Sequence, residues 1–292
     1  MKKYSPVLFT SLAGGLTALV LRLLQNRSGF EPDTGLPAPG HPLALVLPLT
    51  LAALAAVLLV LSRRLPSETG DTPLSFSSYF YSRDGKAVTL MVMGIFLWLI
   101  SGALEVYAGF SAPPVITGNA APVLDTGVLD SSRLSLFMGL LSILAGAALL
   151  PLIPACRRGG KRAVNRRTAP AALNSNLLLI PVICLVVRLV LVYREDSINP
   201  TLAAYYVELL ALSFLILSLY RASSFAFHCG RTRRFALYAS CALVLCIATL
   251  ADGHSLADTL LYLGSVFLLL SLLLMRATAG DGAPPAASKE KS

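Results

Sequence analysis

Residues 51–61 read LAALAAVLLVL, and that run decides the fold class. A membrane strand alternates lipid-facing apolar and inward-facing polar side chains over about 10 positions, and no alternation occurs here. The run extends back to Leu43, giving the roughly 20 apolar residues a helix needs to cross a hydrocarbon core of about 30 Å. Seven similar stretches lie around it, at 7–24, 87–109, 134–151, 177–192, 201–220, 235–251 and 256–275, separated by Pro, Gly and charge clusters. The whole chain is 55% hydrophobic and 13% charged, a balance that leaves too little polar surface for a soluble protein of 292 residues. The expected fold is an all-α, polytopic integral membrane protein with about eight transmembrane helices.

Basic residues are retained on the cytoplasmic side of short loops, which predicts the orientation. With the N-terminus inside, the 24 Lys and Arg residues all fall on the cytoplasmic side except Arg22, Arg27, Arg133, Arg188 and Arg194. Both termini are therefore expected in the cytoplasm, in a cell-membrane protein. The basic start and apolar run at 1–24 resemble a secretory signal, but the run is too long and is followed by Arg22 and not by a small-residue cleavage site, so it reads as a retained anchor. All five cysteines fall in spans or on the expected inner side with no CxxC, which predicts neither an extracellular disulfide nor a zinc site.

The segment CRRGGKRAVNRRTAPAALN, from Cys156, divides the chain. It sets a first four-helix half at 1–156, a basic cytoplasmic linker at 157–174, a second half at 175–276 and a disordered cytoplasmic tail at 277–292. Clustered Lys and Arg beside a bilayer attract anionic lipid, at about 1 kcal/mol per residue. The net charge of +9 thus points to the inner leaflet and not to nucleic acid, since no recognition motif accompanies it.

Laid over each other, the halves match Arg22 with Arg188, Glu105 with Asp252, and FMG ending at Gly139 with YLG ending at Gly264. The two arginines lie near expected outer ends, where the charge bias gives no reason for them. The match predicts two parallel four-helix repeats related by an axis along the membrane normal.

These charges are also the candidate site. Arg188 lies about 7 Å below the polar end of its helix, shallow enough to snorkel, and Glu105 and Asp252 are each expected to pair with an Arg inside their own half. Glu208 lies deeper, about 12 Å below Pro200, where a carboxylate costs a few kcal/mol. Arg188 is expected to converge on it from the preceding helix, directly or through Tyr205, three residues before Glu208. In ADGHSLAD, Ser255 and Asp258 form a capping box for the last helix, leaving His254 and Asp252 too few for a metal. His228 and Cys229 have no acid nearby for a nucleophile, and no GxSxG, HExxH or phosphate-loop pattern occurs. No cofactor is implied. The sequence reads as a non-enzymatic, transporter-like or solute-binding protein with a polar site near the outer side for a small polar solute. The alternative is a membrane sensor or assembly factor, its buried charges structural and its basic loops binding a partner or anionic lipid.

Overall fold

A computed structural model describes residues 4–30, 42–65, 76–80, 85–111, 131–158, 175–196, 202–227 and 229–279. Most of the basic linker, the tail from 280, His228 and Pro200 lie outside the described residues. The chain is all-helical there: α1 (Ser5–Ser28), α2 (Leu43–Arg63), the short α3 (Phe76–Tyr79), α4 (Gly85–Ser111), α5 (Ser131–Leu149), α6 (Leu152–Arg158), α7 (Ile180–Asp196) after a 3-10 turn at Ser175–Leu179, α8 (Leu202–Ser223), α9 (Thr232–Thr249) and α10 (Leu256–Ala279). Among the described residues, eight helical stretches are long and apolar enough to cross a membrane: α1, α2, α4, α5 with α6, the turn with α7, α8, α9 and α10.

Their direction follows from which residues meet. Arg22, near the end of α1, bonds Asp252 just beyond α9, while Arg188, in the second half of α7, meets Glu105 late in α4 and Asp258 in the first turn of α10. The C-terminal ends of α1, α4, α7 and α9 therefore share one end of the bundle with the start of α10, as alternating spans require. That carboxylate end faces an aromatic end. There Phe76 stacks on Phe80, and Phe80, Phe225 after α8 and Phe235 in α9 meet edge to face, beneath the buried Arg276 guanidinium, which lies over Tyr79 and Phe225 and bonds the Thr232 hydroxyl. Phe76, Tyr79 and Phe80, just before α4, thus close this end.

α9 and α10 are the most buried spans. α4 packs chiefly on α5 and α10, and α9 on α1, α8, α10 and α2. Both α4 contacts are made through glycine: a Cβ on Gly102 would lie 2.8 Å from the Gly139 carbonyl oxygen, and one on Gly94 2.7 Å from that of Gly264. Small residues let apolar helices approach closely where lipid supplies no hydrophobic drive. Trp98, fully buried between these crossings, donates its indole N–H to the Leu261 carbonyl and the Ser265 hydroxyl on α10 at 3.1 and 3.0 Å. The helices matched in the two halves thus have different principal neighbours, α5 and α10 for α4 against α8, α1, α10 and α2 for α9. The major interfaces α4 with α10, α1 with α9 and α5 with α7 all join one half to the other.

Candidate functional site

The carboxylate end holds one polar network built from six helices and a turn. On α1, Arg22 is 1% exposed; its Nε donates to Asp252 Oδ1 at 2.6 Å and its Nη1 to Gln25 Oε1 at 2.9 Å, one turn along. Asn26, a further turn position on, donates to the same Asp252 oxygen and to the Ala251 carbonyl, both at 3.0 Å. The C-terminus of α9 is thereby clamped to α1.

Arg188 organises the other side. Its Nη2 donates to Glu105 Oε1 at 2.6 Å and to Asp258 Oδ1, and its Nη1 to Glu105 Oε2 at 3.3 Å and Ser142 Oγ at 3.0 Å. Ser142 in turn donates to Glu105 Oε2 at 3.2 Å. A planar guanidinium matches a carboxylate bidentately, and this one also takes a second acid and a hydroxyl. Asp258 serves twice. Its backbone N–H donates to Ser255 Oγ at 3.1 Å and its Oδ2 accepts from that hydroxyl at 2.6 Å, so the capping box forms as its spacing predicts while Oδ1 is left for Arg188.

Glu208 stands between the two arginine clusters. Tyr262 on α10 donates to Glu208 Oε1 at 2.6 Å. His254 lies with Nδ1 3.8 Å from Glu208 Oε2 and Nε2 3.8 Å from Asp252 Oδ2, its ring against Tyr262 at 5.6 Å between centroids. His254 Nε2 and Asp252 Oδ2 are both buried without a hydrogen-bond partner among the described residues. The void beside Arg188, bounded by Trp98, Ser142, Cys184 and Leu261, measures about 10 Å³, room for one water at most.

The structure brings five of the six sequence candidates together, Arg22, Glu105, Arg188, Glu208 and Asp252, and leaves Tyr205 out, with three corrections to how they pair. Arg188 and Glu208 do not pair, because the Glu105 carboxylate across the half boundary reaches the guanidinium first and offers both oxygens. The ion pairs do not close within halves: Arg22 of the first takes Asp252 of the second, and Arg188 of the second takes Glu105 of the first. Tyr205 makes no hydrogen bond to the network, and the phenol at Glu208 is Tyr262, which reaches it from α10. Gln25 and Asn26, three and four residues beyond Arg22 on α1, complete the set with Tyr262, Ser142 and His254, whose membership no local spacing reveals. Among the described residues no three His, Cys, Asp or Glu side chains gather as a metal set. No protein-family model, curated protein or solved structure matches the chain.

Proposed function

We propose that the chain is a non-enzymatic, transporter-like or solute-binding protein of the cell membrane, both termini cytoplasmic, whose carboxylate-end network takes a small cation, the proton included. One observation carries the reading: Glu208, His254 and Asp252 converge inside the network, with His254 Nδ1 3.8 Å from Glu208 Oε2 and its Nε2 3.8 Å from Asp252 Oδ2. Carboxylates that share a buried site favour uptake of a proton or another cation, and an intramembrane ionisable group marks a functional path by default. The crosswise pairing of the matched charges supports descent from two parallel repeats; the unequal neighbours of α4 and α9 weigh against a surviving symmetry.

The reading is tested by thermal shift on purified protein at constant ionic strength, screening alkali cations, ammonium, guanidinium and amine solutes across pH. A cation that raises Tm in the wild type and fails to in Glu208→Gln is the expected result. The second reading, a sensor or assembly factor with locked charges and basic loops on anionic lipid, is favoured by the closed geometry around Arg188. It prevails if no cation or pH step separates the two proteins.

A further inference from the structure

Every Asp and Glu among the described residues, Glu105, Glu195, Asp196, Glu208, Asp252 and Asp258, lies at the carboxylate end. Arginines at the aromatic end therefore find no described acid beside them. Arg221, two residues before α8 ends at Ser223, is held by two rings instead. Its guanidinium carbon lies 5.5 Å from the ring centre of Tyr220 and 5.8 Å from that of Tyr238 on α9, within cation–π range of both. The side chain makes no hydrogen bond or ion pair among the described residues; Nε is sealed off, whereas Nη1 and Nη2 keep accessible surface. The two tyrosine hydroxyls also make no hydrogen bond there; that of Tyr238 is not sealed off, and Tyr220 is 48% exposed. Two rings thus fix the guanidinium while its outer nitrogens and the hydroxyls on those same rings stand without an acceptor.

We propose that Arg221, Tyr220 and Tyr238 form a site for the phosphate of one anionic phospholipid in the leaflet at the aromatic end. A guanidinium fork matches two phosphate oxygens at once, and a phenol donates to the same group. The surroundings select a lipid as its source. Leu217, one turn before Arg221 on α8, is 37% exposed, so this side of the helix faces acyl chains in a bilayer, and the guanidinium lies about 3 Å from the helix end, at headgroup depth. Arg231 and Arg234, exposed at the start of α9, add positive charge that favours a lipid of net negative charge over one carrying its own ammonium. The site is built on α8 and α9 and not on the basic linker, and it rests on neither reading of the ionic network.

The test titrates the full chain, purified in detergent, with phosphatidylglycerol or phosphatidylcholine of the same acyl chains, and counts bound lipid by native mass spectrometry. One phosphatidylglycerol should bind saturably and about tenfold more tightly than phosphatidylcholine. Tyr220→Phe with Tyr238→Phe keeps both rings for the guanidinium and removes both hydroxyls, and should weaken phosphatidylglycerol about fivefold. Arg221→Lys keeps the charge and loses the planar fork, and should weaken it by a similar factor, whereas Arg234→Lys should change nothing. The Tm of each lipid-free variant confirms folding. Glu208→Gln should bind phosphatidylglycerol as the wild type does, so that this site and the cation reading fail separately. Equal binding of the two lipids would overturn the proposal. Binding indifferent to both the tyrosine pair and Arg221→Lys would do so too, as the mark of diffuse charge attraction. Inorganic phosphate or glycerol phosphate raising Tm as far as phosphatidylglycerol does would assign the site to a soluble anion and not to a lipid.

Discussion

Arg188 is 4% exposed and serves two carboxylates and a hydroxyl at once, so its removal strands more than one buried charge. Breaking one member of a buried pair typically costs about 3–5 kcal/mol, while replacing both by apolar groups is often close to neutral. Arg188→Leu should therefore lower the unfolding free energy by about 3–5 kcal/mol, and adding Glu105→Leu should recover a large part of it. Chemical denaturation of the two single variants and the double variant measures the coupling; strict additivity would mean that the pair contributes nothing. The same residues show how far the sequence reaches. Arg22, Arg188, Glu105, Asp252 and Glu208 stand out in a chain because a charge inside an apolar run has no other explanation. Their partners do not stand out, since Arg188 and Glu105 are 83 positions apart and Arg22 and Asp252 230, and depth along a helix says nothing about which helix is adjacent. Asp258 was legible as a cap because capping is local, and illegible as an ion-pair partner because its second oxygen acts at long range. Tyr262 sits in an apolar helix where a tyrosine reads as filling.

At the scale of the helix, the hydropathy of a span is a poor guide to its place. α2 is the most apolar of the eight and 11% of its window is buried; α9 is among the least apolar and 78% of its window is buried. Lipid tolerates only apolar side chains, whereas a helix ringed by other helices can carry the Ala, Ser, Thr and Cys residues that let them approach. The helix existence and limits were readable, as at 43–61 against Leu43–Arg63, because length and apolarity suffice for spanning. Several helices run beyond the apolar window, α1 to Ser28 and α4 to Ser111, since polar residues at an interface stay helical. The close crossings were half readable: Gly139 and Gly264 were matched by sequence, and both pack on a glycine of α4. Gly94→Val should therefore be costly, its Cβ meeting the backbone of α10 at 2.7–2.8 Å, where nothing flexible can yield. A loss of at least 1–3 kcal/mol is expected, read as a lowered Tm in detergent. Gly253→Ala, with nothing within 4 Å of its Cβ, is the matched control and should stay within about 0.5 kcal/mol; equal losses would mean that the crossing is not as tight as drawn.

For the whole molecule, the two ends of the bundle differ in how their positive charge is held. The aromatic end carries Arg63, Arg64, Lys86, Arg157, Arg231, Arg233 and Arg234 at partly or fully exposed helix ends, whereas at the carboxylate end two of the arginines, Arg22 and Arg188, are buried against acids. Positive charge orients a membrane protein when it is free to be retained on one side, and an arginine neutralised within the bundle presents little of it in the finished structure. The exceptions to the sequence bias are thus reduced to Arg27, Arg133 and Arg194, and the predicted orientation, aromatic end inward, gains contrast. Cys229 supplies a native reporter: it is exposed and lies beside Arg231 at the aromatic end. A membrane-impermeant maleimide should leave it unlabelled in intact cells and label it after permeabilisation. In a Cys229→Ser background, cysteines introduced at Ser197 or Asn119, which follow α7 and α4 in sequence and lie outside the described residues, should label in intact cells. The reverse pattern would place the ionic network on the cytoplasmic side, so that any cation it takes would be drawn from the cell interior.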